Sequence, residues 1–99
     1  MGVAATMKTW PAVKDPDDYK DYGIDWTKAL AGDPIVSSVW SVDVGDGALI
    51  LDQLSNTNTV AIVWIRAGSA DVDYELRNHI VTEGGRQFDR SVKLRVKDQ

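Results

Sequence analysis

The chain has 99 residues, a formal net charge of −4 and no cysteine. That is the length of one domain, with a stability margin of only about 5–10 kcal/mol. The lack of cysteine excludes a disulfide framework or thiolate metal site. The acidic balance argues against nucleic acid, whose binders carry a basic stripe. No apolar run approaches the roughly 18–20 residues of a membrane span, and the first eight residues lack the layout of a signal peptide.

Residues 1–18 read as an extended arm. Trp10-Pro11, Lys14, Asp15-Pro16 and Asp17-Asp18 argue against regular structure, because the residue before each proline is pushed to extended geometry. The arm nevertheless carries Met7, Trp10 and Val13. Two readings stay open: Trp10 folds back on its own domain, or the arm lies on a neighbouring subunit. On the second, removing residues 1–18 leaves the domain folded and abolishes assembly. Gly2 followed by Thr6 also fits the short myristoylation pattern.

Residues 19–99 read as the folded domain. Tyr22, Ile24 and Trp26 alternate with Gly23, Asp25 and Thr27, which predicts a first strand. Lys28 to Ala31 is at most a helical turn, and Gly32-Asp33-Pro34 is a turn. Ile35 to Val44 is the next strand, with Val36, Ser38, Trp40, Val42 and Val44 on one face; Trp40 is the expected core aromatic. Gly45-Asp46-Gly47 turns into the short apolar strand Ala48 to Leu51, and Gln53 to Asn58 reads as a polar turn. Thr59 to Ala67 is apolar on both faces, as in a central strand covered on both sides or a strand with one face at an interface.

Asp71 to Val96 is the organising stretch. Val72, Tyr74, Leu76, Asn78 and Ile80 share one face; beyond Gly84-Gly85, Val92, Leu94 and Val96 alternate with Ser91, Lys93 and Arg95. This is a long hairpin with one apolar face, and a two-stranded ribbon needs cover from a second sheet. A glycine-containing loop leading to Tyr74 at a strand start has the pattern of a Greek-key tyrosine corner, with its hydroxyl returning to a backbone group near Ala70. The plainer alternative is an edge tyrosine. Asn78, on the apolar face, requires a partner or a place at the rim. Ile24, Trp26, Val36, Trp40, Val42, Leu49, Leu51, Val63, Ile65, Tyr74, Leu76, Ile80, Val92, Leu94 and Val96 are the expected inward set. Six or seven short strands make an all-β, antiparallel sandwich.

No residue pattern calls for catalysis or a cofactor. Asp15, Asp17, Asp18 and Asp21 cluster in the arm region, where water screens them, and they lack calcium-loop spacing. His79 is the only histidine and falls on a polar strand face. No serine lies in a Gly-x-Ser-x-Gly context. Gly84-Gly85-Arg86 joins two strands, unlike a phosphate loop. Arg90, Lys93, Arg95 and Lys97 form either a solvated face or a basic edge that meets an acidic edge of another copy.

Three segments carry a resemblance. They are Lys14 to Asp18 with Asp21 to Trp26, Leu30 to Val42, and Tyr74 to Val96 with Arg77-Asn78-His79-Ile80, Gly84-Gly85-Arg86 and Asp89-Arg90-Ser91. In order and spacing, over roughly residues 14–97, the chain resembles small tailed-bacteriophage and prophage virion proteins labelled fiber-tail adaptors. Residues Asp46 to Asn58 fit that pattern less well. The resemblance implies an immunoglobulin-like sandwich with a structural role in the virion and no catalytic residues.

The expected function is therefore a non-enzymatic virion subunit, assembled in the bacterial host cytoplasm, that attaches fibers or spikes to the tail. Its expected partners are tail, portal or fiber components, met in multiple copies, without nucleic acid or membrane. A capsid decoration protein bound to the major capsid protein is the alternative. A carbohydrate-binding module using surface tryptophan is a third reading. The candidate interface residues are Trp10, Pro11, Val13, Asp15, Pro16, Arg77, Lys93 and Arg95.

Overall fold

A computed structural model describes residues 8–98; Met7 and the Gly2 to Thr6 pattern lie outside the described residues. The strands are β1 Lys8–Thr9, β2 Lys20–Asp25, β3 Ile35–Val44, β4 Leu49–Asn56, β5 Val60–Ala67, β6 Val72–Thr82 and β7 Gln87–Val96, with one helical turn, α1 Thr27–Leu30. Two sheets face each other. One runs β1-β7-β6-β3 and the other β2-β5-β4. The long hairpin is β6–β7, paired without interruption from Val72↔Val96 to Val81↔Gln87. Gly85 takes φ +85° in its turn, a conformation that costs glycine little.

The apolar faces of both sheets meet in one core. Tyr74, Leu76, Ile80, Leu94 and Val96 come from the hairpin, and Ala61, Val63 and Ile65 from β5. Each fully buried aliphatic or aromatic side chain contributes about 1.5–3 kcal/mol. The two-sided apolarity of β5 is thereby resolved. It is central in its sheet, Ala61, Val63 and Ile65 are fully buried, and Val60, Ile62 and Trp64 lie half-buried on the outer face.

Asn78 finds three partners inside this core. Its Oδ1 accepts from the indole N–H of Trp26 at 2.9 Å, and its Nδ2 donates to Ser38 Oγ at 2.9 Å and the Val39 carbonyl at 3.1 Å. Trp26 directly follows β2, the edge strand of one sheet; Asn78 is on a central strand of the other. The bond therefore spans the sandwich.

Tyr74 is a corner staple. Its ring is fully buried, its hydroxyl accepts the Ser69 N–H at 2.8 Å, and it donates to Asp46 Oδ1 at 2.7 Å. The backbone donor, the Ser69 N–H, is one residue from the expected Ala70. The ring lies so close to Gly45 that a Cβ there would sit 2.4 Å from Tyr74 Cδ1. Hydrogen bonds from Ser69, Tyr74 and the Ala48 N–H hold the Asp46 carboxyl at about 2, below its usual 3.8.

Three expectations are corrected. Val36 is 57% exposed, because a bulge between Ile35 and Ser37 shifts the alternation and buries Ile35 instead. A second irregularity, between Val42 and Val44, leaves Val44 exposed. Gln53 to Asn56 continue β4 past a bulge between Asp52 and Ser55, with Gln53 at φ +47°, where a turn was expected.

The segment 8–18 is sewn to the sandwich rather than projecting from it. β1 adds in parallel to β7, and Lys14 forms a further bridge to Val96. Trp10 folds back, its ring 4.8 Å from Tyr22 and 6.0 Å from Trp40. Lys14 is fully buried. Its ammonium donates to the carbonyls of Ala67 at 2.6 Å and Asp15 at 2.8 Å, with Pro16 at 3.5 Å. Burial pushes its pKa down, against the opposing pull of Asp18 and Asp15.

Two outcomes follow. Removing residues 1–18 uncovers Tyr22, Trp40 and the β7 edge and orphans the Ala67 carbonyl, so the truncated chain loses about 3 kcal/mol or more in urea unfolding. A truncation as stable as the full chain would show that the segment adds nothing to the fold. Asp46 has a folded pKa below its unfolded one, so between about 2 and 3.8 the unfolded chain binds more protons. Its contribution is complete above that window and is lost as pH falls through it. Acid titration of stability for Asp46→Asn is expected to lack this component.

Candidate protein-interaction surface

The outer face of the β1-β7-β6-β3 sheet is made by alternate residues of β3, β6 and β7, which the hairpin register sets side by side. Its charges are largely paired. Arg77 Nε is 3.3 Å from Asp43 and Arg95 Nε 3.0 Å from Asp73, while His79 Nδ1 is in hydrogen-bond contact with Asp89 at 2.8 Å. The hydrogen bond from Arg95 is the main cause that lowers the Asp73 pKa. Pairs this exposed contribute about 0–1 kcal/mol each. Ser41 lies beside His79 and Asp89 around one shallow hollow, but its hydroxyl donates to Asp43 at 3.1 Å. Ser41 is therefore not aligned with the histidine as a nucleophile. Among the described residues, no cluster of three His, Asp or Glu side chains could hold a metal.

The eight candidate interface residues fall into two groups. Trp10, Pro11, Val13, Asp15 and Pro16 lie on the segment that runs beside β7. Of these Pro11 is exposed, while the other four are partly covered by their own domain. Asp15 is tied locally: its Oδ1 accepts the Asp17 N–H at 2.8 Å, and its N–H donates to Asp18 at 3.2 Å. Arg77, Lys93 and Arg95 lie on the charged sheet face. The two groups adjoin at β7, where Thr9 pairs with Lys93 and the Lys14 N–H donates to the Arg95 carbonyl.

A third surface escapes sequence reasoning. On the outer face of the β2-β5-β4 sheet, Tyr19 meets Trp64 edge-on at 5.4 Å and is 44% exposed. The Tyr19 hydroxyl donates to Asp52 at 2.7 Å, and Arg66 pairs with the other Asp52 oxygen at 3.0 Å. The Tyr19 bond is the first cause of the lowered Asp52 pKa, with Arg66 second. Trp64 stood in a run apolar on both faces, and Tyr19 stood outside any strand, so no periodicity joined them.

Two opposed sheets, a tyrosine corner and a cross-sandwich aromatic define an immunoglobulin-like β-sandwich. The solution structure of the PKD domain from KIAA 1837 protein is similar, with a TM-score of 0.53 and 25% identity, covering 98% of this chain and 85% of that one. Residues 14–95 match the family described as podophage GP4 fiber-tail adaptor protein gp77, and the chain belongs to that family. No curated protein matches it by sequence.

Proposed function

We propose that this chain is a non-enzymatic structural subunit of a phage virion that attaches a fiber or spike to the tail. The observation that carries this reading is the family match over residues 14–95, nearly the whole described domain. The fold supports it. A small sandwich whose segment 8–18, hairpin and corner are all tied together transmits load between partners without a moving part. Its charges are mostly spent on one another, which suits a scaffold better than a reaction. The partners are tail, portal or fiber proteins, contacted in several copies per particle, and the protein joins the virion during assembly in the host cytoplasm. The exposed Pro11, with Val13, Asp15, Pro16, Lys93 and Arg95 beside it, is one contact ridge; Arg77 extends it across the sheet.

Particles made without this protein test the reading. They are expected to contain filled capsids and tails but to lack fibers by mass spectrometry, and to regain them when the purified protein is added. Fiberless particles restored by the protein support the adaptor. Particles that keep their fibers but whose capsids burst at lower temperature would instead show capsid decoration.

A further inference from the structure

Among the described residues, no strand pairs with the outer edge of β2 in the three-stranded sheet. Each exposed sheet edge presents unpaired backbone groups, and proteins usually blunt such edges. Here β7 is covered by β1 and the Lys14 bridge, while the edge strands β3 and β4 carry bulges. Strand β2 runs six residues with an unbroken register.

The pairing tells which groups are free. The Trp26 N–H donates to the Thr59 carbonyl at 2.8 Å, just beyond the pair Asp25↔Val60. Hydrogen-bonded pairs alternate in an antiparallel ladder. Ile24 and Tyr22 therefore also bond to β5, and the N–H and C=O groups of Asp21, Gly23 and Asp25 point away from it. The Asp25 carbonyl receives Arg90 at 3.4 Å. Among the described residues, no backbone bond reaches Asp21 or Gly23 from that side. Beside them is a cleft of about 200 Å³ whose lining includes Trp10, Pro11, Gly23, Asp25, Val92 and the basic Arg90. It is smaller than the roughly 300–1,000 Å³ of a small-molecule site and suits an inserted side chain.

Its chemistry points to one kind of occupant. Asp21 and Asp25 are exposed, four residues apart, with Gly23 between them opposite Ile62. An added strand would set residues directly across from these three. Opposite charge favours a basic residue across from each aspartate, and a bulky apolar one fits over the glycine, covering half-buried Ile62. This chain has that spacing once, in Arg86-Gln87-Phe88-Asp89-Arg90. That segment is already committed: Arg86 pairs with Asp33 at 3.0 Å, Arg90 stacks on Trp26 at 4.3 Å, and β7 pairs with β6. A second folded copy therefore does not supply it.

We propose that the β2 edge accepts an extended segment of a different virion protein, with a basic, bulky apolar, basic pattern at alternate positions. Strand addition of this kind takes affinity from the main chain and specificity from alternate side chains. That the donor is a virion protein rests on the adaptor reading; the pattern does not.

The probe is the peptide acetyl-Ser-Lys-Thr-Phe-Thr-Lys-Ser-amide, titrated to millimolar concentration, with a control in which both lysines are glutamates. Amide hydrogen exchange is read residue by residue. The lysine peptide is expected to slow exchange at Asp21 and Gly23, and the control to bind about tenfold more weakly. Asp21→Lys should remove that preference. Asp21→Pro, which deletes only an outward N–H of the kind edge strands forgo, should abolish protection; Asp21→Lys serves if the proline variant does not fold. No protection at millimolar peptide, protection at β3 or β4 instead, or protection without peptide that grows with protein concentration would each overturn the proposal. In particles, Asp21→Pro protein that still carries fibers removes the slot and leaves the adaptor standing. Fibers retained when the protein is absent remove the adaptor reading.

Discussion

The hydrogen bond from the Trp26 indole to Asn78 sets how the two sheets stack. A carboxamide on the apolar face of a central strand is tolerable only if its polar atoms are paired, since an unpaired buried group costs about 1–3 kcal/mol. Asn78 meets this with donors and acceptors from Trp26, Ser38 and Val39. Hydrophobic burial is indifferent to small slides of one sheet over the other; this bond is not. With Trp26 held, Arg90 stacks on its ring and β2 is placed beside the segment that carries Trp10.

Lys14 plays the matching part at the other end of the molecule. A buried ammonium is stable only when its donors find acceptors. The carbonyls of Ala67 and Asp15 provide them, binding segment 8–18 to the loop that precedes the Tyr74 corner. Segment, corner and hairpin are thus tied together by hydrogen bonds. Three of the sandwich's edges are covered or bulged and one is regular. For a protein whose family joins fibers to tails, this gives a stiff block with a defined side on which to add a strand.

Much of this was legible from the residues. The hairpin, the second strand from Ile35 to Val44, the Tyr74 corner and the need of Asn78 for a partner all follow from period-two alternation and from the cost of burying polar groups. The bulges at Val36 and Gln53 were not legible, because a one-residue slip leaves no local mark and is set by the partner strand. Lys14 was missed for a similar reason: a lysine among prolines and aspartates reads as solvated until tertiary folding brings the Ala67 carbonyl to it. At the surface, Arg77, Lys93 and Arg95 lie on a polar strand face as their alternation implies, but the ion pairs of Arg77 with Asp43 and of Arg95 with Asp73 depend on register. The open edge of β2 is visible only once sheet order is known, since no residue in Lys20 to Asp25 announces which of its sides is paired.

The most direct test of the whole account is a cryo-electron microscopy map of the assembled particle. Density for this sandwich is expected at the junction between tail and fiber, in several copies, with an extra strand of another protein running beside Asp21 to Asp25. Density for the sandwich on the capsid lattice, with none at the tail, would contradict it.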